Sequence, residues 1–274
     1  MEDWLAEIEL GFEGPPVSMG VRKLGPKPWL IKDEKEREEL LLKQRLRSDP
    51  HKEVFLSRDN TERASESVIS LIRLDERKVV DGDMHPLDRA GLSVQEDLCL
   101  LRRKNGKWLL EAASLSFPSR WRLREKLGKS ISDVHSPVEG YPEFLRRKVD
   151  SFMDRLGTDP TWRRNWFIHP DNSLYQPERP IDGDPIIPNT EVGDNLFVRS
   201  ERQTLRKLDS NEWILFTIRV QRTPLRNLIH SRFDEFNLWI TEAPSSHHEH
   251  KGLSKGQVHE ISKGLKSIGS GELA

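Results

Sequence analysis

Apolar positions along the chain fall into two kinds of pattern. From Glu34 to Arg47, Leu40, Leu41, Leu42 and Leu46 cluster among charges of opposite sign spaced three and four apart, which predicts a charged helix. From Glu62 to Leu74, Ala64, Val68, Leu71 and Ile72 share one helical face. Pro142 to Leu156 carries a stripe of Phe144, Leu145, Val149, Phe152, Met153 and Leu156, with Gly157 as its stop. Asn227 to Glu242 reads as a further helix. Two pairs of apolar runs read instead as strands. Leu98 to Arg102 and Trp108 to Leu115 flank Asn105-Gly106, whose residues both tolerate positive φ and so predict a hairpin. Leu196 to Leu208 and Trp213 to Val220 flank Asp209-Ser210-Asn211 and predict a second hairpin, with Trp213 to Phe216 fully buried. Trp162 to His169 reads as one more strand.

The segments between are irregular. Residues 1–28 form an extended lead-in rich in Gly and Pro, Val79 to Ser93 a polar loop, and Tyr175 to Asn195 a long proline-rich loop. Ser119 is placed to cap a short helix through Lys126, with Gly128 ending it. Ser136-Pro137-Val138-Glu139 has a capping-box pattern, which puts His135 at a loop-to-helix corner. Residues 245–274 read as a polar, frayed tail, with 29–244 as one domain. The sum is an α+β domain, a small antiparallel sheet with helices packed on it.

Composition narrows the function. The chain has 274 residues with 35% hydrophobic and 32% charged residues and a formal net charge of −1, so no basic excess recommends a general nucleic-acid binder. No apolar run approaches the ~20 residues that span a bilayer, and Met1 to Leu10 lacks a signal-peptide pattern. A lone cysteine, Cys99, rules out an internal disulfide and a cysteine-ligated cluster, and a reducing, cytoplasmic setting is expected. No Gly-rich dinucleotide fingerprint is present.

Five stretches stand out: Gln95-Glu96-Asp97-Leu98-Cys99-Leu100-Leu101, Phe117-Pro118-Ser119-Arg120-Trp121, Val134-His135-Ser136-Pro137-Val138, Arg163-Arg164-Asn165-Trp166, and Arg199-Ser200-Glu201-Arg202-Gln203-Thr204-Leu205 with its partner Leu215-Phe216-Thr217-Ile218-Arg219. Spacing alone gives each an ordinary role. Glu96 and Asp97 would solvate a strand end, and Arg199, Glu201 and Arg202 would form exposed cross-strand pairs.

In this order and combination the stretches resemble the haem-dependent oxidative N-demethylase family, from Met19-Gly20-Val21-Arg22 to about Pro244. The resemblance implies a PAS-like haem-binding sheet with added helices. It implies a haem b monooxygenase that demethylates a small secondary or tertiary amine with dioxygen, releases formaldehyde, and draws electrons from a separate NADPH-dependent flavin or iron–sulfur reductase. A PAS-like haem sensor without turnover, or a haem-free interaction protein, is the alternative, since fold does not dictate function. His135 is the expected axial ligand, with His169 as runner-up. Cys99, inside an apolar strand, reads as a buried inert thiol. His247-His248 with His250 reads as part of a linker rather than a metal tract. Glu201 and Thr204 are the candidates for proton delivery, with Tyr141 adding a hydrogen bond. Their odd spacing puts Glu201 and Thr204 on opposite faces of a regular strand, so a bulge or strand end is needed to bring them together. Arg120, Arg199 and Arg202 are the candidates for holding haem propionates.

Overall fold

A computed structural model describes residues 3–16, 19–135, 143–208 and 211–269. The chain opens with a 3₁₀ turn at Asp3–Glu7 and continues through β1 (Arg22–Lys23), α1 (Glu36–Ser48), β2 (Phe55–Ser57), α2 (Glu62–Leu74) and α3 (Pro86–Gly91). The hairpin β3 (Asp97–Lys104) and β4 (Lys107–Ser114) follows, then α4 (Leu123–Lys126), α5 (Ile131–His135), α6 (Glu143–Arg155) and β5 (Thr161–His169). After α7 (Val192–Asn195) come the hairpin β6 (Phe197–Lys207) and β7 (Trp213–Pro224) and the helices α8 (Leu225–Ser231), α9 (Phe233–Glu242), α10 (Ser245–His250) and α11 (Lys255–Gly269). Among the described residues, seven strands form one antiparallel sheet in the order β1-β5-β6-β7-β3-β4-β2. This is the expected α+β class.

Both hairpins form where turn chemistry and apolar runs placed them. Asn105 and Gly106 adopt φ of 50° and 77°, the left-handed conformation that a two-residue hairpin turn demands. The sheet is buried on both faces. On one face, Cys99, Leu101, Leu205, Ile214, Ile218 and Val220 pack with Ile131 of α5 and Met153 of α6. On the other, α2 and α3 cover Leu98, Leu100 and Leu215, while α8, α9 and α11 cover Trp166, Ile168 and Val198. Trp166 and Trp239 meet edge to face at 5.1 Å between ring centroids, a favoured aromatic arrangement.

Three expectations need correction. The loop over Val79 to Ser93 contains α3, started by Pro86 in its first turn and by His85 Nδ1, which accepts the Leu87 N–H. The single helix over Asn227 to Glu242 is broken at Arg232 (φ −145°, ψ 47°), whose guanidinium donates to the carbonyls of Leu5 and Ile8 and so ties down the N-terminal turn. Between Ser245 and Gly269 the chain forms two helices rather than a frayed tail. Ile261 and Leu265 of α11 enter the core, and Gly264 lets the helix approach Asn189 O, 2.9 Å from where a Cβ would stand. His247 and His248 are buried, with His248 edge-on to Trp239 at 4.7 Å. They are packing residues, and the linker reading fails.

Candidate active-site face

Glu201 lies mid-strand on β6, opposite Asn165 of β5 and Val220 of β7. The register runs unbroken from Phe197 to Lys207, so alternation puts Arg199, Glu201, Gln203 and Leu205 on one face and Ser200, Arg202 and Thr204 on the other. The bulge that would have united Glu201 and Thr204 does not exist. Thr204 bonds instead to Thr217 across the strands, Oγ1 to Oγ1 at 2.6 Å, both buried.

The Glu201 carboxylate is 7% exposed, and its hydrogen bond among the described residues comes from Gln203 Nε2 at 2.9 Å. Apolar Ile218 and Val220 lie beside it on the same face. Asn165 Oδ1 accepts from Lys251 Nζ at 3.2 Å, and that ammonium also stands 4.9 Å from the Trp166 ring. Burial and the neighbouring Arg163 push Lys251 down to about 7, against the pull of Glu201. Sequence reading missed Asn165, Gln203 and Lys251 as neighbours of Glu201; the Asn165 contact follows from register alone once β5 is paired with β6.

α5 and α6 pack on this same face, so the chain carrying His135 borders it. His135 is the last residue of α5; its side chain, like the whole of Tyr141, lies outside the described residues. His169 is 3% exposed. Its Nδ1 meets Gln176 Oε1 at 3.3 Å, while Gln176 Nε2 donates to the carbonyls of Asp171 and Ser173; Nδ1 therefore carries the proton. Nε2 is walled off by Gly252, where an added Cβ would stand 3.4 Å away. Burial, with Arg120 and Arg199 nearby, lowers His169 to about 3, so the ring is neutral. Cys99 is buried, and burial pushes its thiol far up, which removes thiolate chemistry. Among the described residues no cluster of three or more His, Cys, Asp or Glu is placed to hold a metal ion.

The three arginines are not brought together. Arg199, on the Glu201 face, spends its guanidinium on Ser119 Oγ and the carbonyls of Phe117, Pro118, Ser173 and Leu174. Arg120 makes a two-pronged bond to Asp184 at 2.5 and 2.6 Å. Arg202, on the opposite face, donates to the carbonyls of Pro28 and Trp29.

Glu96, Asp97, Arg199, Glu201, Arg202 and Arg219 are buried rather than solvated, which corrects the exposed-pair reading. Asp97 accepts the N–H groups of Ser116 and Phe117 at 2.8 Å each and faces Lys43 Nζ at 3.3 Å, with both side chains fully buried. Arg199 holds the carbonyls of the same 117–118 segment. Arg219 pairs with Asp33 and Glu39, and Gln95 Nε2 donates to both carboxylates. Glu96 accepts the Ile31 N–H, and burial raises its carboxyl. These contacts form one polar network that ties α1 and the 116–119 segment to the sheet.

The molecule is thus an α+β protein whose antiparallel sheet carries a largely buried glutamate over an apolar floor. It belongs to the haem-dependent oxidative N-demethylase family: the model described as "Haem-dependent oxidative N-demethylase, alpha subunit-like" matches residues 60–259, most of the chain. No curated protein matches this chain. Among the described residues no helix is long and apolar enough to cross a membrane.

Proposed function

We propose that this chain binds haem b on the Glu201 face of a PAS-like sheet, with His135 as axial ligand, and oxidatively demethylates a small secondary or tertiary amine. The observation that carries the reading is Glu201 itself: a residue 7% exposed whose carboxylate is oriented by Gln203 Nε2 beside apolar strand residues. A carboxylate held at the edge of an apolar floor and oriented by one amide is suited to moving a proton. Family membership supplies the cofactor class. Ile218 and Val220 would give such a cofactor an apolar floor, and Glu201 a polar edge.

Haem, when bound, supplies dioxygen activation: the amine, dioxygen, two electrons and two protons yield the shorter amine, formaldehyde and water. The chain's own residues bind, shield and deliver protons. Glu201 carries a proton to the reacting oxygen, and Gln203 Nε2 fixes its orientation through the 2.9 Å bond. Ile218 and Val220 keep bulk water from that side. Arg199 does not reach a propionate in this scheme; it holds the 117–119 wall of the site. The electrons are assigned to a separate NADPH-dependent flavin or iron–sulfur reductase; the family's description as alpha subunit-like supports a partner chain.

The test is spectroscopic and kinetic. His135→Ala is expected to lose the haem absorption band of the reconstituted protein. Glu201→Gln is expected to keep haem yet slow amine-dependent formaldehyde release about 10²-fold or more. Unchanged haem content in the first variant ends the ligand assignment. Full turnover in the second removes Glu201 from the mechanism, and haem binding without formaldehyde in the wild type leaves a sensor.

A further inference from the structure

The face of the sheet opposite Glu201 holds a feature that the demethylase reading does not use. Arg164 on β5, Arg202 on β6 and Arg219 on β7 stand directly across from one another in register. Three like charges in one cross-strand row repel, so such a row is destabilising without anions. They floor an open cleft of about 1030 Å³ bounded by the N-terminal turn, the 27–39 segment and α8, with Trp4, Lys27 and Ile31 among its walls.

The protein neutralises this row only in part. Arg164 is satisfied by Glu7, Ser200 and Gln221. Arg219 has Asp33 and Glu39, but its buried Nε is left without a partner. Arg202 has carbonyls and, among the described residues, no carboxylate. Arg222 stands directly across from Arg199 in register, so by alternation it belongs to the Glu201 side of β7, yet it also lines the cleft; among the described residues no hydrogen bond or ion pair holds it. It sits on β7 beyond Ile218, where pairing with β3 has ended and that strand edge is open. Its nearest opposing charges include Glu38 and Glu39. Guanidinium groups gathered in a recess with spare donors match the oxygens of phosphate and carboxylate groups.

We propose that this cleft is a binding site for a small organic anion, held through phosphate or carboxylate oxygens by Arg202 and Arg222 above the three-arginine row. The three-arginine row is on the far side of the sheet from Glu201, and Arg222 joins it at the open edge of β7, so the cleft is distinct from the floor beside Glu201.

The test is titration calorimetry on the full chain, as purified and after haem reconstitution, at constant ionic strength, with inorganic phosphate, pyrophosphate and malonate as probes. Saturable binding of one anion per chain is expected; preference for pyrophosphate marks a phosphate-bearing ligand and preference for malonate a carboxylate one. Arg222→Gln is expected to weaken binding about tenfold, and Arg222→Glu more, with melting temperature unchanged without anion because the side chain makes no bond to lose. Lys107→Glu, on the exposed hairpin turn, is expected to leave binding intact. Three results overturn the proposal: no saturable binding of any probe, equal affinity in the Arg222 variants, or binding seen in haem-free protein and lost on haem loading, which would hand the arginines to the haem carboxylates.

Discussion

Removing Lys43 tests whether the buried polar network is a structural keystone. Lys43 Nζ donates to Gly91 O at 3.2 Å and Glu96 O at 2.5 Å and pairs with Asp97 at 3.3 Å, in a site with no solvent exposure for either side chain. Lys43→Met keeps the volume of the stem, so little cavity is created. It leaves two carbonyls without this donor and the Asp97 carboxylate without its counter-charge. The two N–H groups of Ser116 and Phe117 remain on Asp97 and soften the loss. Breaking one side of a buried pair costs about 3–5 kcal/mol. At about 2–4 °C per kcal/mol for a large domain, the melting temperature should fall by roughly 6–20 °C. Asp97→Asn should be similarly costly, because its amide would present a donor to one of those two N–H groups. The double variant should be less destabilised than the sum of the singles by about 1 kcal/mol or more in urea unfolding. Additivity within about 0.5 kcal/mol would refute the coupling, and with it the claim that this pair locks α1 to β3.

Two further perturbations follow from the same packing. His169 is neutral in the fold, at about 3 against 6.5 when free, so the unfolded chain takes up a proton first as pH falls. Its contribution is undiminished above pH 6.5, erodes from there down to about 3, and reaches about 2–3 kcal/mol of lost stability by pH 4.5. His169→Gln should flatten that part of the stability–pH curve, and an unchanged slope would count against the buried neutral ring. Gly91→Ala places a Cβ 2.1 Å from Ser114 Oγ and 2.4 Å from its Cβ, so it should cost about 1–3 kcal/mol in thermal melts. Adding Ser114→Gly should restore most of that loss; wild-type stability in the single variant would mean α3 does not press on β4 as described.

Much of the secondary structure was legible in local pattern. The helix over Glu62–Leu74 and both hairpins follow from periodicity and from residues that accept positive φ. Even the separation of Glu201 from Thr204 was written in their odd spacing, awaiting only the absence of a bulge. The tail beyond Pro244 was misread because its apolar residues are few, and Ile261 and Leu265 matter only once Asn189 and Val192 arrive beneath them.

What the sequence determined by itself is the list of elements and the alternation of faces, because both depend on neighbours a few residues apart. What only the tertiary structure decided is the fate of the charges. Arg219 meets Asp33 across 186 positions and Arg202 meets Pro28 across 174. A charged residue is buried only when such distant partners repay its lost hydration, and no local pattern records who those partners will be. The division of one arginine-rich strand, with Arg199 serving the wall beside Glu201 and Arg202 facing the cleft behind it, is a result of that long-range assembly.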